Sequence, residues 1–298
     1  MRARQPDLRD AVVRDGVRIA YEVYDNHGPT VLLMPTWSII DSRHWKLQLP
    51  YLARHFRVVI FDGRGNGASD RPTAAAAYAD REFVADAVAV LDATETDRAV
   101  VAGLSKGGHW AGLLAGLHPD RVSGAILIGA AVSLLPRDPA RTVYPWDQEL
   151  DTDEGWAKYN KHYWRRHYRD FTEFFFSQAL SEPHSTKQRE DAVEWANETD
   201  AETLIATEMA DEIGGEEERR VLESIRCPVL LIHGTDDRIR PHASSQYLAE
   251  LVGGTLLTIE GGGHCPQARD PVIVNRAMRR FVESVNRVSA RELSEVRS

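Results

Sequence analysis

Short apolar runs alternate with longer amphipathic stretches along most of the chain. Six nearly continuous apolar runs are typical of strands buried on both faces: TVLLMP, RVVIFD, AVVAG, GAILIG, CPVLLIHG and TLLTIE. Residues 17–23 (VRIAYEV) instead alternate with a period of two, which predicts a half-exposed edge strand. The stretches EFVADAVAVLD and PVIVNRAMRRFVESV each place their apolar residues on one helical face. This order predicts an α/β fold with a mostly parallel, doubly wound sheet.

One stretch, residues 136–210, breaks this alternation. It has no convincing strand pattern, and it mixes long charged residues with aromatic residues at helical spacing. Such an aromatic stripe is either a packing surface or a lid that also lines a substrate pocket. We therefore expect a core formed by residues 1–135 and 211–298 and a helical cap insertion over residues 136–210. The candidate pocket residues in this cap are three tryptophans: Trp156, Trp164 and Trp195.

Charge and composition narrow the partners and the cellular location. The 298 residues carry a formal net charge of -9, which gives no attraction for nucleic acid or for an anionic membrane. Cys227 and Cys265 are too few for a disulfide scaffold, and the N-terminal MRARQPDLRD lacks the apolar core of a signal peptide. No window approaches the ~20 apolar residues of a membrane helix. We expect a soluble, cytoplasmic protein with no nucleic-acid or membrane partner, and a homo-oligomer stays open.

Polar residues with chemical potential follow several of the predicted strands. Ser105 follows VVAGL within the pentapeptide GLSKG, Asp236 and Asp237 follow VLLIHG, and His264 follows TLLTIEGGG. Ligands of a doubly wound sheet bind outside the carboxyl ends of its strands, so these side chains are candidates for a site. Ser105 by itself is also a suitable N-cap for the helix after it. In combination the residues supply a nucleophile, an acid and a base in the order Ser, Asp, His.

This order and placement resemble the α/β-hydrolase superfamily over nearly the whole chain. The pentapeptide GLSKG matches the G-x-S-x-G nucleophile elbow of that family. FDGRGNGASDRP is similar to the family segment D-x-R-G-x-G-x-S, although Asn66 stands where histidine is more usual. IHGTDDRIRP and GGGHCP look like the acid and histidine loops of the family.

The resemblance implies a catalytic triad. A serine hydroxyl is a weak nucleophile, so His264 would accept the proton of Ser105 and return it to the leaving group. A carboxylate would hold the imidazole in one tautomer and stabilise its positive charge. The family acid usually lies three residues beyond the glycine that ends the strand, here Gly234, which favours Asp237 over Asp236.

An oxyanion hole is the remaining requirement of this chemistry. The family normally uses two backbone N–H groups, one from the residue after the nucleophile and one from the loop after the third strand. These would be Lys106 and Trp37, with Pro35-Thr36 in the place where many relatives carry His-Gly. The Lys106 side chain either points into solvent or meets a substrate anion.

Cofactor motifs are absent from the sequence. There is no G-x-G-x-x-G after the first strand, no Walker A lysine, and DTDEG lacks the later glutamate of a calcium loop, so no cofactor or metal is expected. The predicted function is a serine hydrolase that cleaves a carboxylic ester or similar acyl compound through an acyl-enzyme. A perhydrolase, a carbon–carbon bond hydrolase and a non-catalytic ligand-binding protein on the same scaffold stay open. An aromatic cap favours a small, neutral and largely apolar substrate, because a charged substrate group would be buried beneath the cap without a partner.

Overall fold

The centre of the molecule is an eight-stranded sheet. The structure is a computed structural model that describes residues 4–136 and 138–295. The strands lie side by side in the order β1-β2-β4-β3-β5-β6-β7-β8, and β3 to β8 are all parallel. In chain order they are β1 (Leu8–Arg14), β2 (Val17–Tyr24), β3 (Thr30–Leu33), β4 (Arg57–Phe61), β5 (Ala99–Leu104), β6 (Val122–Ile128), β7 (Val229–Gly234) and β8 (Thr255–Ile259).

Helices cover both faces of the sheet, which confirms the predicted α/β architecture. They are α1 (Leu49–Leu52), α2 (Asp80–Ala93), α3 (Lys106–Leu117), α4 (Pro139–Thr142), α5 (Lys161–Ala179), α6 (Thr186–Ala196), α7 (Ala201–Glu208), α8 (Gly215–Glu223), α9 (His242–Val252), α10 (Pro266–Arg269) and α11 (Pro271–Glu295). Short 3₁₀ helices span Ser42–Trp45, Ala75–Tyr78 and Gly155–Lys158. Among the described residues, no helix is long and apolar enough to cross a membrane.

The sheet separates two apolar clusters. Alternate residues of one strand enter opposite clusters: Val31 and Leu33 pack on one face, and Leu32 packs on the other. Both faces therefore need apolar residues at successive positions. This double burial explains why the central strands appear in the sequence as continuous apolar runs.

The first two strands form a hairpin, and its second strand, β2, pairs antiparallel with β4. Asp15 and Gly16 form its turn with φ angles of 51° and 79°, and Arg14 pairs with Val17. β2 lies between β1 and β4, so the prediction that residues 17–23 form an edge strand is wrong. β1, whose residues are exposed or half-buried, covers that edge.

A helical segment, defined here as residues 138–208, connects β6 to the second half of the core. It contains α4 to α7, and no strand is found in it among the residues that the structure describes. The side chain of Asn160 caps the start of α5 by accepting hydrogen bonds from two backbone N–H groups. α5 then turns Phe171 and Phe175 into the same apolar cluster that one face of the sheet contributes to. The predicted cap boundaries at residues 136 and 210 stay a prediction.

Candidate active site

Ser105 lies in a sharp turn between β5 and α3. Its φ and ψ angles are 55° and -117°, a region that costs a non-glycine residue about 1–3 kcal/mol. The Ser105 N–H donates to Ile128 O at 2.9 Å, and the Ser105 carbonyl accepts from the N–H groups of His109 at 3.0 Å and Ala131 at 2.9 Å. Within the described residues, no side-chain hydrogen bond from Ser105 caps α3. The surrounding structure therefore holds a strained turn that helix capping does not explain.

Two glycines permit this turn. A Cβ atom on Gly103 would lie 1.9 Å from the Gly107 carbonyl oxygen, and one on Gly107 would lie 2.0 Å from the Pro35 carbonyl oxygen. Both obstacles are backbone atoms, which cannot rotate away as a flexible side chain can. The G-x-S-x-G spacing thus reflects the close approach of α3 to β5 and to the loop after β3.

His264 and Asp237 meet at the same edge of the sheet. His264 Nδ1 lies 2.8 Å from Asp237 Oδ2, and the Asp237 side chain is completely buried. The other carboxylate oxygen accepts the backbone N–H groups of Ile239 and Arg240 at 2.7 and 2.9 Å. Asp236, the other candidate acid, is exposed. The structure therefore brings Asp237, and not Asp236, to His264.

His233 is a further partner of this carboxylate. It lies on β7, is fully buried, and places Nε2 2.8 Å from Asp237 Oδ2 and Nδ1 2.6 Å from Ser245 Oγ. Its place near a strand end predicts a hydrogen-bonded packing residue without a direct catalytic role, and its position four residues before the acid was a usable signal for the contact with Asp237. His233 thus fixes Asp237 from the side of the core.

The two histidines also determine the charge of Asp237. Burial alone would raise the pKa of this carboxyl group, but the charges and hydrogen bonds of His264 and His233 outweigh burial and lower the pKa below its usual range. An anionic Asp237 accepts a hydrogen bond from His264 Nδ1–H. Nε2 of His264 is then the ring nitrogen that can accept a proton.

Trp37, Ser105 and Lys106 line one cleft of about 40 Å³. Lys106 is the first residue of α3, and the N–H groups of a first helical turn have no carbonyl partner within the helix. Thr36 Oγ1 donates to Leu104 O at 2.9 Å and so ties the loop of Trp37 to the end of β5. These contacts place both predicted oxyanion-hole residues beside Ser105.

The charged end of Lys106 faces acidic residues of the protein. Its ammonium group pairs with Glu212 and lies 3.9 Å from Asp80 Oδ1. The charge of Lys106 is therefore paired within the protein, and the oxyanion-hole prediction for Lys106 concerns only its backbone N–H.

The rest of the cleft is half apolar and half charged. Tyr159, Phe175 and Ile239 form its apolar wall, while Arg141, Glu208 and Arg240 add charged side chains. Tyr159 and Phe175 belong to the aromatic stripe of the sequence, whose helical spacing does not single them out as pocket residues. No group of three or more His, Cys, Asp or Glu side chains in the described part of the chain is arranged to hold a metal ion.

The three predicted pocket tryptophans occupy different environments. Trp164 is fully buried, and its ring centroid lies 5.8 Å from that of Trp37. Trp156 lies beneath the Arg141 guanidinium, 4.4 Å from the ring centroid. Trp195 lines a separate cavity. Trp164 contacts Trp37 and Trp156 contacts Arg141, and both of these partners line the cleft of Ser105. A role of the tryptophans in substrate binding stays a prediction.

Comparison with known proteins assigns the fold family. Residues 29–271 match the family model described as alpha/beta hydrolase fold. The chain belongs to this family. It is 29% identical over 245 residues to a candidate carbamate hydrolase of Caulobacter sp. (strain K31), covering 80% of this chain and 85% of the relative. It is 28% identical over 267 residues to 2-hydroxymuconate semialdehyde hydrolase of Pseudomonas sp. (strain CF600), covering 88% and 89%.

A solved structure supports the same assignment. An N-acyl homoserine lactone degrading enzyme superposes with a TM-score of 0.72 and 26% sequence identity, covering 91% of this chain and all of that chain. The two curated relatives are named as hydrolases of different substrates, and the solved structure is named as a lactone-degrading enzyme. The family therefore establishes the α/β-hydrolase scaffold, and it leaves the reaction and the substrate to be argued from the site.

Proposed function

We propose that the protein is a serine hydrolase that cleaves a carboxylic ester or a lactone, which is a cyclic ester, through an acyl-enzyme intermediate. The observation that carries the proposal is the strained turn of Ser105, which opens on the same cleft as Trp37 and Lys106. The 2.8 Å contact between His264 and Asp237 supplies the matching base and acid. The likeness to a lactone-degrading enzyme supports the ester class.

The reaction follows from the roles of these five residues. Ser105 Oγ attacks the acyl carbon while His264 Nε2 accepts the hydroxyl proton, and Asp237 stabilises the imidazolium. The N–H groups of Trp37 and Lys106 donate to the oxyanion of the tetrahedral intermediate. His264 then protonates the departing alcohol oxygen as its bond to the acyl carbon breaks. His264 next deprotonates a water molecule that attacks the acyl carbon, and it returns this proton to Ser105 Oγ as the acyl–oxygen bond breaks and the acid leaves.

The cleft supports a neutral group next to the scissile bond. The Arg141 guanidinium donates to Ile239 O and packs on Trp156, and the Lys106 ammonium pairs with Glu212. Two of the four charged side chains on the cleft, Arg141 and Lys106, are therefore engaged by the protein itself. Tyr159 and Phe175 offer the apolar contacts for the substrate.

A fluorophosphonate probe and a panel of neutral acyl esters test the proposal. Ser105→Ala should abolish labelling and lower turnover by about a million-fold, because removal of a triad nucleophile leaves only binding and the oxyanion hole. Ser284→Ala, the same change on an exposed position of α11, should keep wild-type labelling and turnover. Labelling that persists in Ser105→Ala would overturn the assignment of the nucleophile.

A second candidate is carbon–carbon bond hydrolysis with the same residues. The semialdehyde hydrolase relative and the cationic Arg240 on the cleft favour it, since a muconate substrate carries a carboxylate. Turnover of 2-hydroxymuconate semialdehyde with kcat/KM above that of every neutral ester would select this alternative. The reverse order selects the ester hydrolase.

A further inference from the structure

A second cavity, here called the side chamber, lies next to the residues proposed as nucleophile and base. It has a volume of about 40 Å³, and its wall includes Leu104 and Cys265, the sequence neighbours of Ser105 and His264. Among the described residues, it shares no wall residue with the cleft of Ser105. The rest of the wall is mainly apolar and includes Ile40, Phe176, Leu180, Ala192 and Trp195.

Two buried polar atoms on this wall lack a partner. His44 is 6% exposed and Gln267 is 1% exposed, and both line the side chamber. His44 Nε2 and Gln267 Oε1 have no hydrogen-bond partner among the residues that the structure describes. Such atoms are rare in folded proteins, because burial without a hydrogen bond is unfavourable.

Both atoms are hydrogen-bond acceptors. His44 Nδ1 lies 2.9 Å from the Asp41 carbonyl oxygen, which can only accept, so this nitrogen carries the proton. Burial keeps the imidazole neutral, because it lowers the pKa of His44 to about 4. Nε2 of a neutral ring protonated at Nδ1 has a free lone pair. The side chamber thus combines an apolar wall with acceptors that need a donor.

The charges near the side chamber are already paired. Lys46 and Asp191 line its solvent side, with side chains 41% and 16% exposed, and they form an ion pair with each other. A charged ligand group would have to compete with this pair or remain buried without a counterion. A neutral aliphatic chain that carries a hydroxyl or an amide N–H matches the side chamber instead.

We propose that the side chamber binds the acyl chain of the substrate, and that His44 Nε2 and Gln267 Oε1 accept a hydrogen bond from a hydroxyl or amide N–H on that chain. The inference rests on the proposed ester hydrolysis. The acyl part is assigned to the side chamber because it remains bonded to Ser105 after the alcohol has left. The Lys46–Asp191 ion pair lies on the wall of the side chamber, which makes the side chamber a less suitable exit for the alcohol than the cleft of Ser105.

Two ester series test this assignment on the full-length protein. The first varies acyl chain length on one alcohol, with and without a hydroxyl on the chain, and the second varies the alcohol on one acyl group. Wild type should favour the hydroxylated acyl chain, and His44→Leu should lower this preference in kcat/KM by about 10-fold. His55→Leu makes the same change outside the side chamber and should keep the preference.

A filling variant keeps the test valid if His44→Leu fails to fold. Ala192→Leu adds volume to the side chamber from α6 and should shift the optimum to shorter acyl chains without changing the alcohol preference. If wild type cleaves esters but neither variant alters the acyl preference, or only the alcohol preference changes, the inference is wrong and the proposed function stands. If wild type cleaves no ester of either series, the proposed function fails and the inference fails with it.

Discussion

Glu182 Oε1 accepts the backbone N–H of Gly263, the residue before His264, at 2.7 Å. Glu182 is 8% exposed and follows α5, and the last residue of α5, Ala179, accepts the N–H of His264 at 3.2 Å. Two hydrogen bonds thus connect the end of α5 to the histidine loop. The helical segment therefore contributes to the position of His264 as well as covering the sheet.

Glu182→Ala should lower kcat by up to about 100-fold with a smaller effect on KM, because a displaced base is poorly aligned with Ser105. Glu182→Gln retains an oxygen that can accept the Gly263 N–H and should recover most of the rate. Steady-state kinetics on the best ester measure both variants. Exposed Glu190→Ala is the control. An unchanged kcat in Glu182→Ala would show that other contacts suffice to position His264.

Asp237→Asn should reduce kcat far more than Asp236→Asn. The buried amide can donate to His264 and favour the wrong tautomer, a change that costs roughly ten-thousand-fold in a serine protease. Asp236 is exposed, so its amide should leave the rate near that of wild type. The measurement is kcat on a single ester for both variants. The opposite order would transfer the role of the acid to Asp236.

The buried His44 should make the protein less stable in mild acid. Burial lowers its folded-state pKa to about 4, although the hydrogen bond to the Asp41 carbonyl opposes this shift. The unfolded chain has a histidine pKa of about 6.5, so it binds a proton that the folded chain rejects between these values. Stability therefore falls as the pH decreases from about 6.5 to about 4, by roughly 3 kcal/mol from this group.

Urea unfolding from pH 7 to pH 4.5 tests this expectation. His44→Leu should lose less unfolding free energy over this range than wild type or His55→Leu. His109 should have the opposite effect on the pH dependence of stability. Burial would lower its pKa, but Asp80 and Glu218 outweigh burial and raise it, so its stabilising contribution is complete below about 6.5 and is lost as the pH rises through the folded-state pKa. Parallel slopes for wild type and His44→Leu would contradict the prediction.

The parallel part of the sheet could be predicted because burial on both faces produces continuous apolar runs. β1 was missed, since the charged residues at positions 9, 10 and 14 interrupt its apolar residues and leave no such run. The Asp15-Gly16 dipeptide just before the alternating residues 17–23 was the overlooked signal, because both residues adopt the positive φ that a tight hairpin turn requires.

The strand-end residues of the site could be predicted for a related reason. Parallel strands bring their carboxyl ends to one edge, so Ser105, Asp237 and His264 were candidates from their position, and the family resemblance favoured Asp237 over Asp236. The residues of the helical segment were not, because helical spacing gives several aromatic faces. Packing decides which face meets Ser105, and it places Tyr159 and Phe175 there.

Trp164 and Trp195 should respond differently to replacement by alanine. Trp164 is fully buried against Trp37 and Phe171, so Trp164→Ala should lower the unfolding free energy by about 3–5 kcal/mol and lower kcat alike for all esters. Trp195 is half-buried on the side chamber, so Trp195→Ala should change the order of preferred acyl chains with less loss of stability.

Urea unfolding and kcat/KM over the acyl series separate these two effects. The Trp195 ring also lies 5.0 Å from Lys46 Nζ and 5.4 Å from Arg43 Cζ, so a charge-related change would appear as a salt dependence of kcat/KM. A salt-independent change in acyl preference indicates lost apolar contact. If Trp164→Ala, and not Trp195→Ala, reorders the acyl preferences, the acyl chain lies against Trp37 in the cleft, and the side chamber has no part in specificity.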